Sequence, residues 1–253
     1  MEKDEEKLLG RRFIELAEAS ETQNRYTYTD FLGLAELDVF HRTLREIHHI
    51  PYALFGGHEL CERQMVRFGS SEILGYEEDF PISCLKISAS APKFAETLTH
   101  RDYLGALINL GIDRKVLGDI FVSEKCAFLF CEDSIADFIC DELTRVRHTE
   151  VSAARAEQIP ESAIPALTER SVQISSERID ALIAAVLKLS RNSSQELLRS
   201  GRVFIDGRLC ENSSKAPAPG CIISVRGHGR FIYDGLERTT KKGRLSVKIR
   251  EYK

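Results

Sequence analysis

The chain has 253 residues, of which 43% are hydrophobic and 29% are charged, and its formal net charge at pH 7 is −4. That length is enough for two or three domains with their own cores, and the composition is ordinary for a globular protein. No apolar run approaches the length of a membrane span, and the first twenty residues are too charged for a signal peptide. The seven cysteines lack Cys-x-x-Cys spacing, so we expect reduced thiols in a cytoplasmic protein.

The small net charge conceals a difference between two parts of the chain. Residues 1–169 contain 18 Lys and Arg against 31 Asp and Glu, whereas residues 170–253 contain 17 against 8. A basic segment attached to an acidic one indicates a nucleic-acid-binding module that is joined to something else.

The acidic part begins with two amphipathic segments. Apolar residues recur among charged ones over residues 3–20, and Thr29 or Asp30 is placed to cap a second helix over residues 31–47. Residues 52–55 and 61–68 predict a pair of strands, with a tight turn at Gly56-Gly57 after the first. No helix with a Lys-Ser/Thr pair follows these glycines, so a phosphate-binding loop is not indicated.

The next segment predicts a regular α+β domain with the order β-α-β-β-α-β of a ferredoxin-like fold. The strands are predicted over residues 80–90, 116–122, 125–131 and 148–154, and the helices over residues 100–110 and 134–143. RNA-recognition motifs share this topology, but residues 125–131 lack their Gly-aromatic run, so Phe128 and Phe130 are interpreted as core. Asp102 is interpreted as an N-terminal helix residue and not as a catalytic group. Arg114-Lys115, in a loop expected to be exposed, either contacts phosphate or only aids solubility.

Residues 158–171 contain Pro160 and Pro165 and mixed charge, which predicts a partly stiff linker. The predicted domain organisation is therefore an N-terminal region over residues 1–78, a middle domain over residues 79–157, this linker, and a C-terminal domain over residues 172–253.

The C-terminal domain starts with two predicted helices. The first carries apolar residues at helical spacing, namely Ile179, Leu182, Ile183, Val186 and Leu189. Ser193, with Glu196 three residues later, predicts the N-cap of the second helix, and Gly201 its end. Val203 and Ile205 predict a short strand before a turn at Asp206-Gly207, and further strands are predicted over residues 222–225 and 245–249.

The polar positions of this domain are rich in cations. We predict that its RNA ligands are Arg178, Lys188, Ser190, Arg191, Gln195, Arg199, Arg202, Lys215, Arg226 and Arg230. Guanidinium groups suit the bidentate geometry of phosphate, and the spacing of Gln195, Arg199 and Arg202 allows them to share one exposed face. The glycine-rich run 226–231 either approaches a phosphate or is a flexible hairpin tip, and the same alternatives apply to Lys241-Lys242.

This pattern resembles the S4 RNA-binding domain. The resemblance is carried by Arg178-Ile179-Asp180, Ser190-Arg191, Gly201, Asp206-Gly207, Pro219-Gly220 and Val225-Arg226. Cys221 departs from the pattern, because the family usually has an acidic residue after the glycine. The alternative to an S4 domain is a helical hairpin with a solvated basic face.

Together with residues 100–122, Phe55–Glu59 and Glu62-Arg63, this domain makes nearly the whole chain similar to the YlmH family of bacterial S4-domain proteins. The resemblance implies an α+β protein with three parts: an N-terminal α/β region, a ferredoxin/RRM-like middle domain and a C-terminal S4 (αL-type) domain. It also implies binding to the large ribosomal subunit and a link to the rescue of stalled large subunits that carry peptidyl-tRNA. Genes of this family often lie near those for cell division.

The predicted function is therefore binding without catalysis. We expect a cytoplasmic monomer, without cofactor, metal or membrane contact, whose partners are structured RNA of the large subunit and, as a further candidate, tRNA. A pseudouridine synthase would need aspartate after Gly-Arg-Leu, whereas Cys210 and Ser246 follow the two such runs. A methyltransferase would need a glycine-rich cofactor loop after a strand, and none is evident. A protein-binding adaptor, docking a partner through the acidic part, is the remaining alternative.

Overall fold

The computed structural model describes residues 3–93, 95–239 and 243–252. The chain forms two compact units, Met1–Ile164 and Pro165–Lys253, and both mix helices with sheet, so the fold class is α+β as predicted. Over the described ranges, no helix combines the length and the apolar character that crossing a membrane requires. The predicted basic pair Lys241-Lys242 lies outside the described residues.

The N-terminal part of the first unit packs two helices on a small antiparallel sheet. Its elements are α1 (Lys3–Gln23), β1 (Thr27–Tyr28), α2 (Leu34–Thr43), β2 (Tyr52–Phe55), β3 (Met65–Phe68) and the short α3 (Ser71–Leu74). The strands are arranged in the order β1-β3-β2. Phe13 of α1, Phe40 of α2 and Phe68 of β3 are completely buried, so the core of this part lies between the helices and the sheet.

Helix α2 begins later than the sequence indicates, and neither Thr29 nor Asp30 caps it. The Thr29 hydroxyl instead accepts a hydrogen bond from the Val66 amide at 2.9 Å, and Leu32 forms a β-bridge with Gln64. These long-range pairings keep the backbone extended as far as Leu32. The helix therefore starts after Gly33, whose amide donates to the Glu36 carboxylate.

The second part of this unit contains the predicted β-α-β-β-α-β elements and one additional short strand. They are β4 (Ile82–Ala89), α4 (His100–Asn109), β5 (Leu117–Val122), β6 (Cys126–Glu132), α5 (Asp133–Glu142), β7 (Arg145–Val146) and β8 (Thr149–Arg155). The strands form an antiparallel sheet in the order β5-β6-β4-β8-β7. Both helices pack on one face, where Leu85, Leu107, Leu129 and Ile139 are fully buried. The Asp102 carboxylate accepts from the Thr99 amide at 2.8 Å at the start of α4, as interpreted from the sequence.

The opposite face of this sheet is covered by the N-terminal part. Successive side chains of a strand point to opposite faces, so Phe128 and Phe130 point away from the buried Leu129. Their rings are 1% and 2% exposed and pack with residues of the N-terminal part, including Phe31 and Met65. The interpretation of both rings as core is confirmed, and neither is accessible for stacking on RNA bases.

Arg63 joins the N-terminal part to this sheet, and Arg114 binds the same edge of the sheet from within its own part. A register shift between Leu117 and Ile120 interrupts the pairing of β5 with β6. The Leu117 carbonyl accepts from Arg63 Nε at 2.9 Å and from Arg114 Nη1 at 2.6 Å, and Arg63 Nη2 also donates to the Phe31 carbonyl at 2.6 Å. The predicted boundary at residue 78 therefore does not separate two compact units.

The prediction that the Arg114-Lys115 loop is exposed is wrong for Arg114. Its guanidinium group points inward to the backbone, and burial, together with the neighbouring charge of Arg63, lowers the pKa of Arg114 to about 10. Lys115 is exposed and lies 3.8 Å from the carboxylates of both Asp30 and Asp113.

The second unit places two helices on one face of a six-stranded antiparallel sheet. Its elements are β9 (Leu167–Ile174), α6 (Ile179–Val186), α7 (Arg191–Arg199), β10 (Val203–Ile205), β11 (Arg208–Leu209), β12 (Cys221–Val225), β13 (Gly229–Thr239) and β14 (Leu245–Tyr252). The strand order is β11-β10-β12-β13-β14-β9. Ile183 and Leu198 of the helices and Ile223 and Val247 of the sheet are fully buried in its core.

The predicted linker extends too far toward the C-terminus. Strand β9 pairs with β14 from Leu167 to Ile174, so the last five residues of the predicted linker belong to the sheet. Within them, Arg170 Nη2 donates to the Val186 carbonyl at 2.8 Å, and its guanidinium forms a bidentate pair with Glu251. A cation at the C-terminus of α6 is favourable for the helix dipole, so this arginine is part of the fold of the unit.

The Gly56-Gly57 turn generates a stability prediction for the first unit. Gly57 has φ +96°, and a Cβ there would lie 2.2 Å from Phe130 Cδ1. Gly111 has a similar φ of +82° but nothing within 4 Å of such a Cβ, so it is a matched control. We expect Gly111→Ala to cost about 1 kcal/mol through backbone strain alone, and Gly57→Ala about 3 kcal/mol because overpacking is added. Urea unfolding followed by circular dichroism measures both, and equal losses would contradict the close packing of this turn.

Candidate nucleic-acid interface

The turn between α6 and α7 is built around a lysine in a left-handed conformation. Helix α6 ends at Val186, and Lys188 follows with φ +54°. The Leu189 amide then donates back to the Ala184 carbonyl at 2.9 Å, which closes the end of the helix. Glycine usually occupies this position because other side chains are strained there. The side chain of Lys188 is exposed at this turn.

Helix α7 begins earlier than predicted, because Ser190 and not Ser193 is its N-cap. The Ser190 hydroxyl accepts from the Ser193 amide at 3.1 Å, and the helix starts at Arg191. Ser190 offers the same hydroxyl as Ser193 and is already extended where the chain leaves the turn. The three additional residues place Arg191 in the first turn of the helix.

The end of α7 agrees with the sequence prediction. Gly201, at φ +66°, donates its amide to Leu198, and the Arg202 amide donates to Leu197 at 3.0 Å. This pair of bonds is a Schellman motif with glycine at C′, as predicted. The predicted turn at Asp206-Gly207 is also present, with both residues at positive φ between β10 and β11.

A buried carboxylate holds the two helices together. Asp180, in the first turn of α6, has a side chain with 0% exposure. Its oxygens accept from Arg178 Nε and Nη2 at 3.0 Å each, from Arg191 Nε at 3.2 Å and from Gln195 Nε2 at 2.9 Å. The Ser194 hydroxyl donates to the Asp180 backbone carbonyl at 2.8 Å. One residue of α6 is thus bound by three residues of α7 and by the residue that precedes α6.

Hydrogen bonds outweigh burial in determining the pKa of Asp180. Burial alone would raise the pKa of Asp180, but the bonds from Arg178, Gln195 and Arg191 hold it well below its usual range. The carboxylate is therefore ionised at neutral pH and fixes the two guanidinium groups in place. The side chains of Arg178 and Arg191 remain 36% and 52% exposed, so each still presents N–H groups to solvent.

Four other predicted ligands are exposed cations on this side of the unit. They are Lys188, Arg199, Arg202 and Lys215. Over the described residues, none of the four forms an ion pair with a carboxylate. The Lys215 carbonyl accepts from the Ile179 amide at 2.8 Å, which places this lysine at the start of α6. The arrangement leaves positive charge around both ends of the helix pair.

The two remaining arginines lie on the opposite face of the sheet. The Arg226 guanidinium stacks on Phe204, 4.9 Å from the ring centroid, and that of Arg230 stacks on Tyr252 at 4.1 Å. Phe231 points toward the helices, so Arg230 beside it points away from them. Arg226 nonetheless lies beside Arg202, because its amide donates to the Arg202 carbonyl at 2.9 Å, whereas the structure does not bring Arg230 together with the cations around α7.

Sequence reasoning missed the inward orientation of Arg191 and Gln195 and the proximity of His228 to α7. His228 lines a shallow groove together with Ser193 and Glu196 of α7 and with Arg202. The available signal for His228 is its place between Gly227 and Gly229 in the tip of a hairpin. No signal in the sequence identifies the partner of Arg191, because Asp180 is eleven residues away.

The buried carboxylate predicts a pH-dependent stability. Because the pKa of Asp180 in the folded state is below the ordinary value of about 4, its charge stabilises the fold above that pH. We expect Asp180→Asn to lower the free energy of unfolding at pH 7 by about 3 kcal/mol, and the difference from wild type to shrink as the pH falls below about 4. Urea unfolding at several pH values tests this.

Glu211→Gln is the control for the loss of one negative charge, since Glu211 is exposed in the same unit. It should change stability by less than about 0.5 kcal/mol at every pH. A deficit of Asp180→Asn that stays constant down to pH 2 would show that the charge of Asp180 is not what stabilises the helix pair.

Comparison with known proteins identifies the family. A protein-family model described as "Putative RNA-binding domain in YlmH" matches residues 76–159. "Ribosome-associated protein quality control protein P2" of Bacillus subtilis (strain 168) is 31% identical over 233 residues, which are 91% of this chain and 89% of the relative. The solved structure "Cell division protein ylmH from Streptococcus pneumoniae" is 22% identical and gives a TM-score of 0.49, covering 62% of this chain and 93% of that one. The match to the Bacillus relative over nearly its full length shows that this chain belongs to the YlmH family.

Proposed function

We propose that this protein binds RNA without catalysing a reaction on it and associates with the ribosome. It docks on structured RNA of the large subunit through the second unit, which we assign as an S4 (αL-type) domain. The Bacillus subtilis relative is a ribosome-associated quality control protein, and the description of the matched family model is a putative RNA-binding domain. In this proposal the protein is a cytoplasmic monomer that takes part in rescue of stalled large subunits carrying peptidyl-tRNA.

The observation that carries this proposal is the set of cations around α6 and α7. Lys188, Arg199, Arg202 and Lys215 are exposed, and Arg178 and Arg191 are fixed by Asp180 with N–H groups left over. Cations that neutralise phosphates release bound counterions from the nucleic acid, which supplies most of the sequence-independent affinity. Guanidinium groups held in fixed positions lose little conformational freedom on binding.

A rigid pair of helices fits structured RNA better than single strands. The major groove of A-form RNA is too narrow for base reading, so such a surface recognises shape and phosphates. The aromatic rings of this unit support that view, because Phe231 and Tyr233 are buried in the core. Phe204 is buried as well, with Arg226 above it, and is not an open stacking platform.

The segment that matches the RNA-binding family model is itself acidic, so how it could contact RNA needs an explanation. Residues 76–159 contain nine Lys and Arg against fifteen Asp and Glu. We propose that this segment is a ferredoxin/RRM-like domain whose sheet face is used for packing against the N-terminal part. RNA contact by residues 76–159 would then involve loops or helices. In this proposal the acidic first unit selects where the protein sits, and the second unit supplies most of the affinity for RNA.

The salt dependence of binding tests the phosphate-led mode. If about five phosphates are neutralised, the slope of log K against log salt for purified large-subunit RNA should be roughly −3 to −5. The double variant Arg199→Glu, Arg202→Glu should weaken binding at least about tenfold and flatten this slope by about 2, since two phosphate contacts are lost. Arg238→Glu, at an exposed position of β13, is the control for charge and should have little effect. A wild-type slope near zero would refute the proposal.

Arg191→Glu is a poorer test, because it places a second carboxylate beside the buried Asp180. Its effect on RNA binding would be mixed with an effect on folding.

Substitutions of Lys188 distinguish an effect on RNA binding from an effect on stability. Lys188→Gly removes the left-handed strain and should stabilise the second unit by about 1 kcal/mol, yet it should weaken RNA binding about threefold or more by removing one phosphate contact. Lys188→Ala keeps the strain and removes the charge, so it should weaken binding equally without the gain in stability. Urea unfolding and RNA titration of both variants decide the matter. Wild-type affinity in Lys188→Gly would mean that this lysine does not touch RNA.

A further inference from the structure

A row of aromatic rings whose two ends are exposed lies on the N-terminal part of the first unit. Tyr76 contacts Tyr26 with ring centroids 5.2 Å apart, and the Arg67 guanidinium lies 4.6 Å from the Tyr26 ring and 5.2 Å from the Phe80 ring. Phe80 in turn contacts Phe55 at 5.6 Å. The two ends of this row, Tyr76 and Phe55, are 42% and 40% exposed. The row is therefore continuous and reaches solvent at both ends.

The row is fixed by hydrogen bonds of the protein itself. Arg67 is only 13% exposed, and its Nη1 donates to the Glu78 carbonyl and to the Glu77 carboxylate. The Tyr26 hydroxyl donates to the Tyr76 carbonyl at 2.9 Å. A surface that is already ordered loses little freedom when a partner binds, which favours its use as a contact site.

The surface around the row is acidic. Residues 68–85 contain four carboxylates and no lysine, arginine or histidine. These carboxylates, all exposed, are Glu72, Glu77, Glu78 and Asp79. Arg67 is the cation within the row, and its guanidinium is occupied by Glu77 and the Glu78 backbone. Ile73, 63% exposed and three residues before Tyr76, adds apolar area to the same segment.

This combination favours a basic protein partner over RNA. Aromatic rings alone would suit RNA bases, but RNA phosphates would be repelled by four carboxylates without a free cation in residues 68–85. A protein segment rich in lysine and arginine is attracted by the same charges, and exposed aromatic and aliphatic side chains are typical anchors of protein interfaces. The negative charge of the surface therefore favours a basic protein segment over RNA as its partner.

We propose that this acidic aromatic surface, formed by Phe55, Ile73, Tyr76, Glu77, Glu78 and Asp79, binds a lysine- and arginine-rich protein segment of the large ribosomal subunit. The location on the large subunit rests on the function proposed above, whereas the chemistry of the partner rests on the surface itself. The surface provides an anchor distinct from the cations around α6 and α7, and it contacts protein where they contact RNA.

Binding to intact large subunits, compared with binding to RNA extracted from them, tests the proposal. The double variant Ile73→Lys, Tyr76→Lys of the full chain should lower affinity for intact subunits at least about fivefold, as loss of interface anchors does, and leave affinity for the extracted RNA unchanged. Leu8→Lys, at a 70% exposed position of α1, is the matched control and should change neither. Unchanged binding of the double variant to intact subunits would overturn the proposal, and so would an equal loss on extracted RNA.

A second variant keeps the shape of the surface, because it replaces two carboxylates by amides of the same size. Glu72→Gln, Asp79→Asn should weaken binding to intact subunits in the same direction, and wild-type affinity in this variant would overturn the proposed attraction. If the wild-type chain fails to bind extracted RNA, the function proposed for the second unit fails, while the comparison on intact subunits still tests this surface.

Cross-linking identifies the class of partner directly. With benzoylphenylalanine in place of Tyr76, irradiation on purified large subunits should link the full chain to a ribosomal protein within a lysine- and arginine-rich segment. Cross-links to RNA alone, or none when the variant co-sediments with the subunits, would overturn the proposal.

Discussion

The fold of the second unit depends on one buried charge. Asp180 is fully buried, and such a charge is tolerated only when partners satisfy it. Its partners come from two places, Arg178 ahead of α6 and Arg191 with Gln195 on α7, so satisfying the carboxylate fixes the helices relative to each other. Buried ion pairs add little net stability compared with apolar packing, and their attested use is to specify one arrangement. The same bonds fix the positions of two guanidinium groups that remain partly exposed, which connects the fold of this unit with its chemistry.

In the first unit, hydrogen bonds also satisfy buried charged groups, but there they hold arginine side chains inside the molecule. Arg63 points into the molecule and donates to the carbonyls of Phe31 and Leu117, which lie in separate parts of the unit, and Arg114 donates to the Leu117 carbonyl as well. The contact closes the sheet face that carries Phe128 and Phe130. This sheet therefore lacks the open aromatic face by which RNA-recognition motifs stack on bases. Topology alone would have suggested a stacking surface, and the burial of two rings removes it.

The sequence was a good guide to which elements exist and a weaker guide to where they begin and which way side chains point. Periodicity identified β4 to β6, α4 to α7 and the Schellman end at Gly201, because each depends on local patterns. It failed where two residues offer the same cap, as at Ser190 and Ser193, and where pairing with a distant strand decides, as in β9. The sequence could not predict which way the side chains of Arg114 and Arg191 point, because the tertiary fold determines which acceptors lie within their reach. Of the candidate site, the cations were predictable but the division between the two sheet faces was not.

Backbone strain gives an independent reason to regard the turn between α6 and α7 as functional. Four described residues other than glycine have positive φ: Asn24, Arg147, Lys188 and Asp206. For three of them the structure offers a compensation. Asparagine tolerates the left-handed region, and Asp206 accepts a hydrogen bond from the Ile222 amide at 2.8 Å. Arg147 forms an ion pair at 3.6 Å with the Asp102 carboxylate. Over the described residues, the Lys188 side chain has no comparable partner that would offset its strain. Strain that the fold does not offset is expected at positions retained for binding, and this lysine lies beside the N-cap of α7, among the cations that the proposed function requires.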